Sequence, residues 1–171
     1  MGVENILETF FRAVSRVLPQ NVNSVPLPKN DDLFRFLPFR GIGHGSAIAE
    51  VVRDQYSEDV QDLLNDVTSV YILCHASFQA LCAVQGGGKL SLAAFFDSLI
   101  FDGLASAIIP CFICCHVTRI TGAVLRELNC VPPAVLKWGP VVMGLGVLAF
   151  TYELIDRCVD RALDETIRLL Y

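Results

Sequence analysis

Between Asp66 and Lys89 the chain runs for 22 residues, VTSVYILCHASFQALCAVQGGG, without one Asp, Glu, Lys or Arg. A helix of that length reaches about 33 Å, and the hydrocarbon core of a bilayer is about 30 Å thick. Two more apolar runs follow: Leu90 to Thr118, broken only by Asp97 and Asp102, and Cys130 to Tyr152, broken only by Lys137. Three such runs in 171 residues leave little chain for anything else. They predict an all-α integral membrane helical bundle of about three spanning helices, at about 67–88, 98–118 and 131–152. The strictly uncharged stretches of the second and third runs are shorter, 103–118 and 138–152, so their charged neighbours belong near the bilayer surface, where long side chains snorkel. Gly103, Ala105, Ser106 and Ala107 in one run and Gly139, Gly144 and Gly146 in the other would let helix backbones approach closely.

Charged residues make up 18% of the chain, against about 25% in soluble domains. The deficit falls mostly after Asp66. The net charge of −5 offers no electrostatic footprint for nucleic acid, which needs clustered Lys and Arg in excess. Of the 7 cysteines, Cys74, Cys82, Cys111, Cys114 and Cys115 lie inside apolar runs, which argues against a secreted disulfide framework. The first residues are acidic rather than basic, unlike a secretory signal. Met1-Gly2 resembles a myristoylation start, but Ile6 stands where that motif needs Ser or Thr.

Upstream of the apolar runs, Val3, Ile6, Leu7, Phe10, Phe11, Val14, Val17 and Leu18 recur at helical spacing until Pro19. The Pro- and Asn-rich segment to Pro38 reads as a linker, so residues 1–40 form an amphipathic helix and linker, and 41–171 the helical membrane domain. GIGHGS (Gly41 to Ser46) reads as a turn before a helix of about 20 residues carrying Ile48, Val51, Val52, Val60, Leu63 and Leu64. The tail, 153–171, reads as a solvated amphipathic helix: Ile155, Cys158, Val159, Ala162, Leu163, Ile167 and Leu170 form a stripe, and Glu153/Arg157, Arg161/Glu165 and Asp164/Arg168 are opposite charges four apart. With three spans, Arg119, Arg126 and Lys137 share a side with the N-terminal segment. The positive-inside rule places that side in the cytoplasm or, for a mitochondrial membrane, the matrix.

No motif carries catalytic chemistry. GIGHGS lacks the strand and glycine spacing of a dinucleotide loop, and GGGKLS (Gly86 to Ser91) fails the phosphate-loop pattern at Ala83 and Leu90. No G-x-S-x-G, H-E-x-x-H or spaced acid and base is present. The ionisable groups inside the apolar runs are His75, His116, Asp97 and Asp102, and such groups are costly enough to be functional candidates. Asp97 and Asp102 are five residues apart, about 140° around a helix, so they do not pair on one face. In CFICCHVTR (Cys111 to Arg119) Cys114 and Cys115 fall within about 60° of Cys111 and His116 points about 140° away from it, which is packing rather than a tetrahedral metal set. No cofactor and no small-molecule substrate is expected. The alternative function is a small transporter or carrier with Asp97, Asp102, His75 and His116 as its polar path.

From Asp97 to Tyr171 the sequence resembles a known family. The residues that carry the likeness are Asp97, Leu104 to Ser106, Ile109-Pro110, Phe112, Lys137-Trp138 and Gly144-Leu145, and above all IDRCVDRALDETIRLLY. In that tail Ile155, Asp156, Arg157, Val159, Asp160, Leu163, Asp164, Arg168, Leu170 and Tyr171 fit the pattern. It resembles the mitochondrial fission process protein 1 family, also called mitochondrial 18 kDa protein. More weakly, Asp32-Leu33, the Gly41 region and Ser69, Tyr71 and Leu73 fit the family's N-terminal half, whose first span is more apolar than residues 51–70 here. The resemblance implies a non-enzymatic, multi-pass protein of the mitochondrial inner membrane that promotes mitochondrial division, affects viability and apoptosis, and works with the lipid bilayer and unidentified fission-related proteins. Asp156, Arg157, Asp160, Asp164 and Arg168 are the candidate interaction surface of its tail.

Overall fold

The computed structural model describes residues 32–36, 38–84, 88–128, 130–166 and 168; the expected N-terminal helix and the linker as far as residue 31 lie outside them. Asp32 accepts the Phe34 N–H at 3.1 Å and so caps a single 3-10 turn, Leu33–Arg35. Two short helices follow, α1 (Phe39–Gly43) and α2 (Gly45–Val51). Residues 32–36 and 38–40, read from sequence as the end of a linker, are therefore part of the packed body: Phe34 and Arg40 are both buried.

The helix expected after GIGHGS is two helices. α2 ends at Val51 and α3 (Glu58–Ala83) starts after a polar bend. Gln61 ties that bend by donating to the carbonyls of Arg53 and Tyr56 (3.2 and 3.4 Å), while Glu58 and Asp59 put negative charge at the positive end of the α3 dipole. GIGHGS itself is a packing device. A Cβ on Gly43 would lie 2.6 Å from the Tyr71 ring, and one on Gly45 would lie 2.6 Å from the Leu64 carbonyl oxygen. Only glycine lets α1 and α2 come this close to α3, where the Ser46 N–H reaches Thr68 Oγ1 at 2.8 Å.

α4 (Gly88–Asp102), a π-helical turn (Gly103–Ile108) and α5 (Ile109–Glu127) form one continuous stretch of 40 residues. The small residues at Gly103, Ala105 and Ser106 accommodate the wider turn. α6 (Pro133–Asp164) is a single helix of 32 residues. The third expected span and the expected C-terminal helix are thus one element as far as Asp164, because nothing between Tyr152 and Glu153 breaks the helix. α3 packs along α4, α5 along α6, and α2 sits against α3, α5 and α6. The described residues contain no strand.

Two helical stretches are long and apolar enough to cross a bilayer, Gly88–Glu127 and Pro133–Asp164; their most apolar windows have mean hydropathies of 2.0 and 1.6. A soluble core helix would be mostly buried, whereas only 39% and 17% of these windows are covered by protein. The uncovered faces carry large apolar side chains: Phe112, Ile120 and Val124 on α5, and Val142, Met143, Phe150 and Leu154 on α6, with Phe150 89% exposed. α3 does not reach that apolar threshold. Thr68, Ser69, His75, Ser77 and Gln79 dilute it, and Asp59, Asp62 and Asp66 charge its first half. Its outward residues beyond Asp66 are nevertheless mostly apolar, Val67, Val70, Leu73 and Leu81 with Ser69 and Ser77 among them, while Thr68, Tyr71, His75 and Gln79 turn inward beside Phe78 and Cys82.

Candidate functional site

The interior that these helices enclose holds an ionic network set among three apolar clusters, around Phe34 and Tyr71, Val51 and Leu148, and Phe101 and Ile155. Arg40, on α1, is fully buried. Its guanidinium donates from Nε to Asp156 Oδ2 (3.0 Å) and from Nη2 to Asp156 Oδ1 in a two-pronged pair. Nη1 donates to Asp102 Oδ1 (3.0 Å) and to Ser106 Oγ (2.6 Å). Asp102 and Ser106 are four residues apart, so the end of α4 and the π-helical turn present both to one cation. Two carboxylates drive the Arg40 pKa up, Asp156 foremost, against a burial effect that alone would lower it. A planar fork of five donors suits such a site, and a lysine could not fill it.

His75 extends the network from α3. Nδ1 lies 2.5 Å from Asp102 Oδ2 and Nε2 lies 2.8 Å from Asp32 Oδ2. Carboxylate oxygens only accept, so an imidazolium, donating from both nitrogens, satisfies both contacts. Asp32 also accepts from Gln79 Nε2 (2.8 Å) and pairs with Arg35 Nε (3.2 Å). Burial alone would raise the Asp32 pKa; the His75 bond and charge, Arg35 and the Phe34 N–H outweigh it and hold the carboxyl below its usual value. Phe34 stacks on the His75 ring at 5.0 Å, and Tyr71 donates to the Phe34 carbonyl at 2.8 Å, so aromatic packing fixes the imidazole between its two acids. Counted as charges, Arg35, Arg40 and His75 balance Asp32, Asp102 and Asp156, three against three. In an interior of low dielectric such charges are tolerated only when opposite charges are paired and hydrogen-bonded.

A second shell of the same network lies toward the C-terminus. Arg35 Nη1 reaches Asp160 Oδ2 at 2.7 Å while its Cζ sits 4.0 Å over the Phe101 ring. Arg168 donates from Nε and Nη2 to the two oxygens of Asp97, both at 2.8 Å, from Nη1 to Asp164 (2.6 Å), and from Nη2 to Asp160 (3.3 Å). These bonds raise the Arg168 pKa over the opposing effect of burial.

Several sequence-based expectations are redistributed by this geometry. Asp97 and Asp102 do serve different partners, Arg168 and the Arg40/His75 pair. His116 does not join them: it is exposed and its Nδ1 contacts the Phe112 carbonyl of its own helix at 2.9 Å. Of the five residues expected on a solvated tail surface, Asp156 is buried at 3% exposure, and Asp160 and Arg168 turn into the network. Arg157 and Asp164 remain at the surface. The i,i+4 charge pattern could not distinguish a solvated face from one that clamps buried cations. Asp32, Arg35 and Arg40 were not singled out from the sequence; the signal available was two arginines set among Leu33, Phe34, Phe36, Leu37 and Phe39 in a segment otherwise read as linker.

Among the described residues no disulfide joins the cysteines, and Cys114 is buried with Sγ 3.8 Å from the Gly144 carbonyl. Among the described residues no group of three or more His, Cys, Asp or Glu is placed to hold a metal ion.

No solved structure matches the chain. The family model for mitochondrial 18 kDa protein matches residues 83–163, which carry Ser106 and four of the network's acids, Asp97, Asp102, Asp156 and Asp160. Mitochondrial fission process protein 1 of Homo sapiens is 30% identical over 156 residues, 86% of this chain and 94% of that protein. The proteins of the same name from Caenorhabditis elegans and Danio rerio are 24% and 25% identical, each over 82% of this chain. With 30% identity over 86% of its length to one of these proteins, the chain belongs to the mitochondrial fission process protein 1 family.

Proposed function

We propose that this protein is a non-enzymatic, multi-pass protein of the mitochondrial inner membrane that promotes mitochondrial division through protein partners, with consequences for viability and apoptosis. The observation that carries the reading is the inverted distribution of polarity, apolar faces outward and a neutral ionic cluster inward, in a chain whose relatives bear the name of the fission process. Three spans, at about 67–88, 98–118 and 131–152, fit that distribution, with α3 as the third span because its apolar stripe faces away from the network. The buried cluster acts as a clasp: it fastens α1 and α3 to the ends of α4 and α6, far apart in sequence. Nothing in its geometry supplies a nucleophile, an open metal position or a binding cavity. A carrier reading draws on the Asp102–His75–Asp32 chain, but His116 stands outside it and each of those three groups is already engaged. Depleting the protein from cells is expected to leave mitochondria elongated and hyperfused under live imaging, with rescue by the wild-type chain; unchanged morphology would overturn the division role.

A further inference from the structure

We propose that a basic cleft between α2, α5 and α6 binds the phosphate head group of an anionic phospholipid, an inference that rests on the membrane reading above. Arg53, Arg119, Arg126 and Lys137 line the cleft together with Glu50 and Asp54. Four positive against two negative groups leave a local charge of +2 in a chain whose total is −5. The positive charge is also available. Glu50 is engaged by Arg53, whereas Arg119, Arg126 and Lys137 carry no ion pair among the described residues. The cavity volume is about 370 Å3, toward the lower end of the roughly 300–1,000 Å3 of small-molecule pockets and enough for a head group. Its floor is apolar, from Val51, Pro140 and Val141, and one wall is pinned where Gln55 Nε2 donates to the Lys137 carbonyl at 3.1 Å.

Position selects a lipid over a soluble anion. Arg119 is the first charge after the uncharged stretch 103–118, and Lys137 is the last before the stretch 138–152. Both apolar stretches therefore end at this cleft, which sets it at head-group depth. Trp138, 44% exposed beside Lys137, has the placement of an interfacial aromatic. A phosphate diester offers the acceptor oxygens that guanidinium forks recognise, and its acyl chains would lie along the exposed faces of α5 and α6.

The test uses the full chain in mixed micelles, with bound lipid counted by native mass spectrometry in phosphatidylcholine alone, in phosphatidylcholine with phosphatidylglycerol, and in the latter with added inorganic phosphate. The wild-type protein is expected to retain phosphatidylglycerol in preference to phosphatidylcholine, and inorganic phosphate should not displace it. Each cleft cation should contribute roughly fivefold, so Arg119→Gln with Lys137→Gln should weaken retention about thirtyfold. Arg157→Gln with Arg161→Gln, the same change of net charge elsewhere, should leave it intact. Arg119→Lys, which keeps charge, should retain most of the binding and shows that the site survives substitution. Equal loss in both double variants, no loss in the cleft variant, or displacement by inorganic phosphate would overturn the proposal. Separate insertion of the wild-type chain into vesicles distinguishes the two levels: an inserted protein without lipid preference sinks the cleft alone, and a chain that does not insert sinks both.

Discussion

Replacing Arg40 with methionine keeps volume and removes the charge at the centre of the clasp. The structure fixes what is lost: the two-pronged pair with Asp156, the 3.0 Å bond to Asp102 and the 2.6 Å bond to Ser106, all at positions with no more than 3% exposure. The inner cluster then carries one uncompensated negative charge. Removing one partner of a buried pair costs about 3–5 kcal/mol, a large share of the roughly 5–15 kcal/mol that holds a domain together. At roughly 2–4 °C per kcal/mol for a chain of this size, the thermal midpoint should fall by about 6–20 °C. Arg40→Lys should recover only part of this, since an ammonium cannot reach two carboxylates with fixed geometry. The double variant Arg40→Met with Asp156→Leu should be more stable than Arg40→Met alone, because it removes the orphaned charge as well. Thermal unfolding of the purified protein in nanodiscs, followed by tryptophan fluorescence from Trp138 and by circular dichroism, reads all four proteins. An Arg40→Met midpoint within a degree or two of wild type would refute the claim that the cluster holds the helices together. So would a double variant no more stable than Arg40→Met alone.

Further outcomes follow from the same structure. Gly45→Val places a branched side chain where even a Cβ would be 2.6 Å from the Leu64 carbonyl, so it should destabilise by about 1–3 kcal/mol or more, whereas Gly41→Val, with open space around it, should be mild in the same melting assay. His44 is buried against the Tyr152 ring, and burial first, then Arg40, lower its pKa to about 4. A depressed histidine favours the folded state while neutral, so its contribution is full above about 6.5 and falls as pH drops toward about 4, by roughly 3 kcal/mol across that window. Melting curves at several pH values should show this slope in wild type and a shallower one in His44→Gln; identical slopes would contradict it.

The helical class and the two most apolar helices were legible from sequence because long uncharged runs have few alternatives. The division of labour among the charges was not. An acidic residue on a charged helix looks the same whether it is solvated, as Glu153 beside Arg157 is, or aimed inward, as Asp156 and Asp160 are, and only tertiary contact with Arg40 and Arg35 separates the cases. His75 was visible as a costly group in an apolar run, but its partner Asp32 lies 43 residues upstream, beyond any local pattern. The glycines of GIGHGS were read as a turn because glycine serves turns and close helix contacts alike; the Tyr71 ring and the Leu64 carbonyl decide for contact. Polarity periodicity also misleads for α3: its buried face mixes Thr68, His75 and Gln79 with Tyr71, Phe78 and Cys82, so its buried side could be assigned only once its neighbours were in place.

The most direct test of the central claim, that lipid covers the outward apolar faces and the ionic clasp lies inside, is alkaline carbonate extraction of mitochondria expressing the full chain. The protein should stay in the membrane pellet with integral markers, since the exposed faces around Phe150, Val142 and Phe112 have no polar alternative to lipid. Recovery in the soluble fraction would contradict it, and the inverted bundle with it.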